Sequence, residues 1–197
     1  MQKIGITGGI GSGKTTCCRI FEALDIPVYY ADEGAKRLMY KNKKLKTEIK
    51  KVLGEEAYHN NGKMNKVYIG SKIFTDKSLL KKVNNLVHPA VAMDVMNWFG
   101  SIKNKPYALE EAALLIESGA YKFFDELIVV TAPIEKRVEW VMKRDNLSKK
   151  EVTQRLKNQL SDEERIKKAN FVIINDGTIS LTSQVYTIHK QLTKRNK

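Results

Sequence analysis

The sequence is short of cysteine and of long hydrophobic runs. Its two cysteines, Cys17 and Cys18, are adjacent. Neighbouring residues on a helix point about 100° apart, which is poor geometry for a disulfide. No apolar run approaches the roughly 20 residues that a membrane-spanning helix requires, and the first residues lack the apolar core of a signal peptide. We therefore expect a cytoplasmic protein with reduced thiols and no membrane partner.

Glycine and proline are also scarce. The 197 residues include 12 glycines and 4 prolines, and 42% are hydrophobic. This composition argues against a disordered or fibrous chain. The length fits one domain, or one core with an inserted subdomain.

Acidic residues are outnumbered, and the positive charge is unevenly distributed. The chain has 35 Lys+Arg against 22 Asp+Glu, a formal net charge of +13. Residues 36–51 hold eight basic residues and one acid, and residues 63–82 hold six and one. Such surfaces could bind a nucleic-acid backbone, a membrane surface or a smaller polyanion such as a nucleotide, or they could simply be solvated lysines. The sequence contains no aromatic-interleaved basic motif of the RNA-binding type.

Short apolar runs alternate with segments of helical spacing. The runs lie at residues 3–7, 27–31, 107–111, 127–131 and 171–174, and their length is typical of buried parallel strands. Helical spacing occurs at residues 14–24, 78–99, 134–143 and 179–192, with an expected kink at Pro89. The alternation predicts an α/β fold: a five-stranded parallel sheet flanked by helices.

Two segments are too long or too polar to belong to this core. We expect core residues 1–31, 104–145 and 169–197, with an inserted helical lobe at about 32–103. Residues 146–168, the lid segment, are polar and predicted to form a mobile helical lid, because they offer little apolar surface for burial.

The strongest motif spans residues 8–15, which read G-x-x-x-x-G-K-T. It follows an apolar strand and opens a helix, the context in which this string forms a phosphate-binding loop. Its glycines allow backbone N–H groups to face phosphate oxygens, and the helix adds the positive end of its dipole. Lys14 would reach the β- and γ-phosphates, and the Thr15 hydroxyl would bind Mg²⁺.

A phosphate-binding loop does not specify a reaction. The chain lacks the D-x-x-G and N-K-x-D motifs of GTPases, and a motor or helicase would need a larger chain. These observations favour a small-molecule kinase that uses ATP.

The remaining motifs resemble those of the dephospho-CoA kinase family over nearly the whole chain. Residues 6–16 are similar to that family's T-G-G-I-G-S-G-K-[ST]-T string. Further similar segments are Tyr30-Ala31-Asp32, His88-Pro89, the stretch 113–117 (A-L-L-I-E), the arginines and glutamine Arg137, Arg144, Arg155 and Gln159, and Asn175-Asp176-Gly177.

The resemblance implies a fold, a reaction and a substrate. The fold would be of the nucleoside-monophosphate-kinase type, with a helical CoA-binding lobe and a lid. The reaction would be ATP- and Mg²⁺-dependent phosphorylation of the ribose 3′-hydroxyl of dephospho-CoA, the last step of coenzyme A synthesis. The protein would be a monomer or weak homo-oligomer with a small-molecule substrate and no nucleic-acid partner.

The motifs and the resemblance together assign site residues. Lys14, Asp32 and Arg144 form the expected catalytic set, and Asp32, His88, Leu114 and Glu117 the acceptor-binding set. Thr15 and Glu111 are the expected metal ligands. Nucleotide binding is assigned to Gly9, Ile10, Gly11, Ser12, Gly13, Lys14, Thr15, Thr16, Arg144, Asn175 and Gly177.

Several residues keep a second interpretation. Asp32 could accept the 3′-hydroxyl proton, orient that hydroxyl, or cap a helix starting at Glu33. His88 could be a structural residue at a bend, Arg144 could form a surface ion pair with Asp145 or Glu151, and Asn175 could belong only to a turn.

The sequence departs from the family at three positions: Tyr30, where an Asp is usual, Glu111, where an Asp is common, and Ala113, in place of a Pro. Tyr30 leaves Asp32 as the candidate base. Two other functions remain open. One is another nucleoside or nucleotide kinase of the same fold, and the other is a basic nucleic-acid-binding ATPase.

Overall fold

A single sheet forms the centre of the structure, a computed structural model that describes residues 1–194. Its five strands run in the order β2-β3-β1-β4-β5, and the pairings of β1 with β3 and β4, and of β4 with β5, are parallel. The predicted five-stranded parallel sheet is confirmed. The strands are β1 (Gln2–Thr7), β2 (Val28–Tyr30), β3 (Tyr107–Glu111), β4 (Glu126–Thr131) and β5 (Phe171–Ile174).

Helices alternate with these strands. They are α1 (Lys14–Ala23), α2 (Ala31–Lys41), α3 (Lys43–Leu53), α4 (Lys66–Thr75), α5 (Lys77–Ser101), α6 (Ile134–Asp145), α7 (Lys149–Lys157), α8 (Asp162–Ile166) and α9 (Leu181–Lys194). Within residues 1–194, no helix combines the length and apolar character needed to cross a membrane.

The chain divides into two compact units. One comprises Met1–Tyr29 and the chain from Ile102 onward, and the other is Tyr30–Ser101. Residues 32–101 of the expected lobe fall in the second unit, and the lid segment belongs to the first.

The core of the first unit lies around its central strands. Ile4 and Ile6 of β1, Leu109 of β3 and Ile128 of β4 are fully buried, as expected for parallel strands covered on both faces. On one face, Phe21 of α1 makes an edge contact with the ring of Tyr107 on β3. This packing fixes α1, and therefore the loop before it, against the sheet.

The second unit is helical and has a core of its own. Leu45, Ile49 and Leu53 of α3 pack with Val83 and Val87 of α5. These residues recur at four-residue steps, so each helix places one face in this core.

Pro89 lies inside a continuous helix, so the residue before it, His88, is helical despite the preference against helix before proline. Helix α5 continues through Pro89 from Lys77 to Ser101. Proline in a helix interior removes one backbone hydrogen bond. Buried side chains on both sides of it, among them Val87 and Val95, offset that loss.

The lid segment is helical as predicted, but the premise that it buries little is wrong. Val152 of α7 is fully buried and packs with Val138 and Val141 of α6. Both lid helices begin with capping boxes, Ser148 with Glu151 and Ser161 with Glu164, which satisfy otherwise unpaired N–H groups. The lid segment is thus anchored to the first unit by apolar packing.

Candidate active site

The glycine-rich loop connects β1 to α1 and has the geometry of an anion-binding site. Thr7 ends β1, and Lys14 is the first residue of α1. Gly13 precedes the helix with φ 97°, a left-handed conformation that favours glycine. The N–H groups of the first helical turn therefore face the loop, together with the positive end of the helix dipole.

A tight turn shapes the outer part of the loop. The Ser12 N–H donates a hydrogen bond to the Gly9 carbonyl at 3.1 Å, and Gly11 has φ 77°. Ile10, the second residue of this turn, is not among the described non-glycine residues that have a positive φ. A positive φ at only the third turn position defines a type II turn, which requires glycine there.

Lys14 is folded back over this loop. Its side chain is buried, and its Nζ donates to the carbonyl oxygens of Gly8 at 2.9 Å and Gly9 at 3.4 Å. The carboxylate of Glu111 lies 4.0 Å from the same nitrogen. Because Glu111 ends β3, the carboxyl edge of the sheet places an acid beside the loop lysine.

Ser12 carries a buried polar atom without a partner. Within residues 1–194, its Oγ is one of two buried side-chain polar atoms that make no hydrogen bond. Burying an unpaired hydroxyl costs free energy, so the position is suited to a polar ligand. Thr15 and Thr16 are exposed on the first turn of α1.

Glu110 is more deeply buried than its neighbour Glu111. It is 8% exposed, and burial raises the pKa of its carboxyl group to about 7. Alternation along β3 directs the two side chains to opposite faces of the sheet.

Both backbone groups of Ile10 are bound by side chains from distant parts of the chain. Its N–H donates to Oε1 of Gln159 at 2.9 Å, and its carbonyl accepts from Nε of Arg137 at 2.9 Å. The Ile10 side chain packs in the apolar cluster between α6 and α7. Burial lowers the pKa of Arg137, which is 4% exposed.

Arg137 belongs to a buried network of ion pairs. Its Nη1 donates to both carboxylate oxygens of Asp162, at 3.0 and 3.1 Å, and Asp162 also accepts from the Thr131 hydroxyl. Arg165, fully buried, donates from Nη1 to Asp162 at 3.4 Å and from Nη2 to Glu117 at 2.6 Å. The Glu117 carboxylate, expected to contact the acceptor, thus binds the lid segment.

Arg144 forms the ion pair that the sequence left as its second interpretation. Its Nε and Nη2 donate to the two carboxylate oxygens of Asp145 at 2.7 and 2.9 Å. These hydrogen bonds raise the pKa of Arg144 and lower that of Asp145. The Arg144 side chain is 62% exposed, whereas Arg137 is the arginine that touches the phosphate loop.

Asn175 follows β5 and reaches the phosphate loop. Its Nδ2 donates to the Ser12 carbonyl at 3.0 Å. A Cβ built on Gly13 would lie 2.4 Å from that nitrogen, so only glycine fits beside the amide. Gly177 is exposed and has φ 84°.

A cleft of about 620 Å³ is lined in part by Arg137 and Gln159, the two side chains that bind Ile10 of the loop. The ends of β4 and β5 and the start of α6 line one part of it, and the lid segment lines another. Its walls include Pro133, Arg137, Gln159 and Ile174.

The expected acceptor residues of the second unit lie on its helices. Asp32 is exposed in the first turn of α2, whose N-cap position is Tyr30. The capping interpretation of Asp32 is therefore wrong. His88 is exposed within the continuous helix α5. Leu114 of the first unit is 46% exposed.

Sequence reasoning missed most of the ion network. Arg137 and Gln159 belong to the segments that carry the family resemblance, and the motifs assign no role to Asp162 or Arg165. The S-x-x-E string at residues 161–164 could have placed Asp162 on the first turn of a helix. No local signal pairs that residue with Arg137.

Comparison with known proteins decides the family. A family model described as dephospho-CoA kinase matches residues 2–180. A dephospho-CoA kinase from Bacteroides fragilis is 38% identical over 183 residues, covering 93% of this chain and 89% of the relative. The chain belongs to the dephospho-CoA kinase family.

Two solved structures share the fold, and one of them is a dephospho-CoA kinase. A protein from Thermus thermophilus superposes with a TM-score of 0.84 and 30% identity, covering 96% of both chains. The dephospho-CoA kinase from Campylobacter jejuni has a TM-score of 0.74 and 25% identity, covering 99% of this chain and 98% of its own.

Family membership confirms the principal predictions made from the sequence. The chain is a kinase with small-molecule substrates, one of them ATP, and its reaction is the final step of coenzyme A biosynthesis. This function is favoured over another nucleotide kinase and over a nucleic-acid-binding ATPase.

Proposed function

We propose that the loop between β1 and α1 binds ATP and Mg²⁺ and directs the γ-phosphoryl group to the ribose 3′-hydroxyl of dephospho-CoA. The single observation that carries this proposal is the loop itself. Residues 8–15 bring together four features: the glycine turn, the helix N-terminus, the folded Lys14 side chain and the unpartnered Ser12 hydroxyl.

Lys14 supplies the cation for the phosphates. Its two carbonyl contacts and the nearby Glu111 hold a charged ammonium group in a largely buried place. A buried cation interacts strongly with charge that develops on phosphate oxygens, because little water screens it. We expect the side chain to exchange these carbonyls for the β- and γ-phosphates when ATP binds.

Thr15 and Glu111 fit a magnesium ion. Mg²⁺ is commonly held by one or two carboxylates together with substrate phosphates and waters. Glu111, 4.0 Å from Lys14 Nζ, supplies one carboxylate, and the Thr15 hydroxyl is exposed on the adjoining helical turn. When bound, the ion would neutralise charge on the β- and γ-phosphates.

The nucleoside of ATP is assigned to the cleft between the ends of β4 and β5 and the lid segment. Asn175 and Gly177 follow β5, and their amide and backbone groups are suited to contact adenine. Gly9, Ile10, Gly11, Ser12, Gly13 and Thr16 complete the phosphate side through backbone and hydroxyl groups.

Asp32 is the proposed base on the acceptor side. As the 3′-oxygen forms its bond to the γ-phosphorus, the bond to the β-phosphate oxygen breaks, ADP leaves, and the hydroxyl proton passes to the Asp32 carboxylate. His88 and Leu114 are proposed acceptor contacts. Glu117 is assigned to holding Arg165, because its carboxylate is already bound there.

Arg144, near the end of α6 and next to the lid segment, is the proposed charge-stabilising arginine. Its planar guanidinium suits phosphate oxygens, and its exposed pair with Asp145 is of a kind that contributes little to stability. We propose that Arg144 leaves Asp145 for the phosphates when the lid segment closes, which excludes water from the transfer.

The basic surface is proposed to be solvated, with no nucleic-acid partner, and the protein to act in the cytoplasm as a monomer or weak homo-oligomer. The direct test is product identification. The chain, ATP, Mg²⁺ and dephospho-CoA should give a product that is one phosphate heavier, with the new phosphorus bonded at the ribose 3′-oxygen by NMR. Phosphate at another position, or ATP hydrolysis stimulated only by oligonucleotides, would contradict the proposal.

A further inference from the structure

The outer turn of the phosphate loop is held at a single peptide unit. In a type II turn the central peptide, here the Ile10 carbonyl and the Gly11 N–H, is rotated by roughly 180° relative to a type I turn. Arg137 Nε binds that carbonyl at 2.9 Å. Since the carbonyl and N–H of one peptide point in opposite directions, the arginine also sets the direction of the Gly11 N–H.

Arg137 cannot hold this position by itself. It is 4% exposed, and a buried guanidinium needs a counter-charge and hydrogen-bond acceptors. Asp162 supplies both, because its two oxygens accept from Arg137 Nη1 at 3.0 and 3.1 Å. The guanidinium group of Arg137 thus binds Asp162 through Nη1 and the loop through Nε.

Asp162 is itself fixed from three sides. It is the first residue of α8, the Thr131 hydroxyl at the end of β4 donates to it, and Arg165 Nη1 lies 3.4 Å from it. Arg165 is held in turn by Glu117 and by the Leu160 carbonyl at 2.6 Å. The rotamer of Asp162 is therefore determined by the sheet and the lid segment together.

We propose that Asp162 is a positioning residue for phosphoryl transfer, which through Arg137 holds the Ile10–Gly11 peptide in the orientation that receives the donor phosphates. The proposal rests on the assignment of this loop to ATP. Asp162 also lies in the wall of the cleft assigned to the nucleoside. A positioning role predicts an effect on donor binding that requires Arg137, whereas direct contact with ATP predicts an effect that persists without Arg137.

The first experiment is Asp162→Asn, compared with Asp25→Asn. Asn keeps the shape of Asp but presents an NH₂ group to two arginines and carries no charge. Asp25 is an exposed residue that pairs with Lys105, so its variant controls for loss of a surface carboxylate. We expect Asp162→Asn to raise KM for ATP about tenfold or more, with KM for dephospho-CoA unchanged. The Asp25 variant should match wild type.

A double-mutant cycle separates positioning from general destabilisation. If Asp162 acts through Arg137, adding Asp162→Asn to Arg137→Ala should not raise KM for ATP further. Effects that multiply would overturn the proposal, as would an unchanged KM for ATP in folded Asp162→Asn.

A milder variant covers the case in which Asp162→Asn does not fold. Thr131→Val removes only the hydroxyl that binds Asp162, and it should raise KM for ATP about two- to fivefold at an unaltered KM for dephospho-CoA. An unaltered KM for ATP in this variant would count against the proposal. Wild-type protein without kinase activity would instead refute the proposed function, so the two failures are distinguishable.

Discussion

The side-chain amide of Asn175 donates a hydrogen bond to the Ser12 carbonyl at a distance of 3.0 Å. The contact joins the end of β5 to the phosphate loop across 163 positions of sequence. Because Gly13 has φ 97° and no side chain, the amide approaches the loop backbone directly. The turn that follows β5 therefore helps to shape the phosphate loop that follows β1.

Asn175→Asp should weaken ATP binding. A carboxylate cannot donate to the Ser12 carbonyl, and it places negative charge against the loop assigned to the phosphates. We predict that KM for ATP rises about tenfold or more, while KM for dephospho-CoA stays the same. Asn104→Asp is the control, since Asn104 is exposed and Asp tolerates its φ of 59°. Equal effects of the two variants would refute the loop contact.

Asp32→Asn should impair turnover without weakening the fold. The amide keeps the shape of the side chain but cannot accept the hydroxyl proton. The N-cap position of α2 is Tyr30, so no cap is lost, and thermal unfolding should hardly change. Glu33→Gln, in the same exposed turn, is the control. We predict that kcat falls about 10²-fold or more for Asp32→Asn alone. Normal kcat in this variant would assign the base role elsewhere.

Arg144→Lys should lower turnover although the charge is kept. Lysine cannot present two parallel N–H groups to phosphate, and we predict a fall in kcat of about tenfold or more. Asp145→Asn should retain turnover, because it removes the resting partner of Arg144 and a looser pair with Arg155 at 3.9 Å, but no group assigned to the reaction. Arg19→Lys, at an exposed position on α1, is the control. Full activity in Arg144→Lys would leave the arginine as a surface residue.

Glu110 should make stability depend on pH. Its folded pKa of about 7 exceeds the ordinary value of 4.5, so between these values the folded state holds a proton that the unfolded state has lost. The contribution of Glu110 to the free energy of unfolding is complete below pH 4.5. It falls by about 3 kcal/mol in total as pH rises to about 7.

Glu110→Gln removes this titration. Urea unfolding of wild type and variant, without nucleotide, should therefore show the stability of the variant relative to wild type increasing from pH 5 to pH 7.5. The other acids are common to both proteins and cancel in the difference. Parallel pH profiles would show that Glu110 is ionised in the folded state.

The sequence predicted features whose determinants are local. The phosphate loop lies within eight consecutive residues, and apolar runs flanked by turn residues revealed the strands. The preference against helix before proline is also local, yet His88 is helical in the structure. The buried residues of α5 on both sides of it, among them Val87 and Val95, override that preference.

The ion network could not be read from local patterns. Arg137 binds a carbonyl 127 positions away and a carboxylate 25 positions away. A buried Arg165 and an exposed Arg144 look alike in the sequence, and polar composition concealed the burial of Val152. Which arginine faces the phosphates depends on tertiary packing.

The most direct measurement is ADP release with and without dephospho-CoA, for wild type and for Lys14→Ala. Wild type should release ADP rapidly only when dephospho-CoA is present, in a one-to-one ratio with coenzyme A. Lys14→Ala should be slower by roughly 10²–10⁴, whereas Lys122→Ala, at an exposed position, should match wild type. ADP release indifferent to dephospho-CoA, or near-normal turnover in Lys14→Ala, would contradict phosphoryl transfer to dephospho-CoA at this loop.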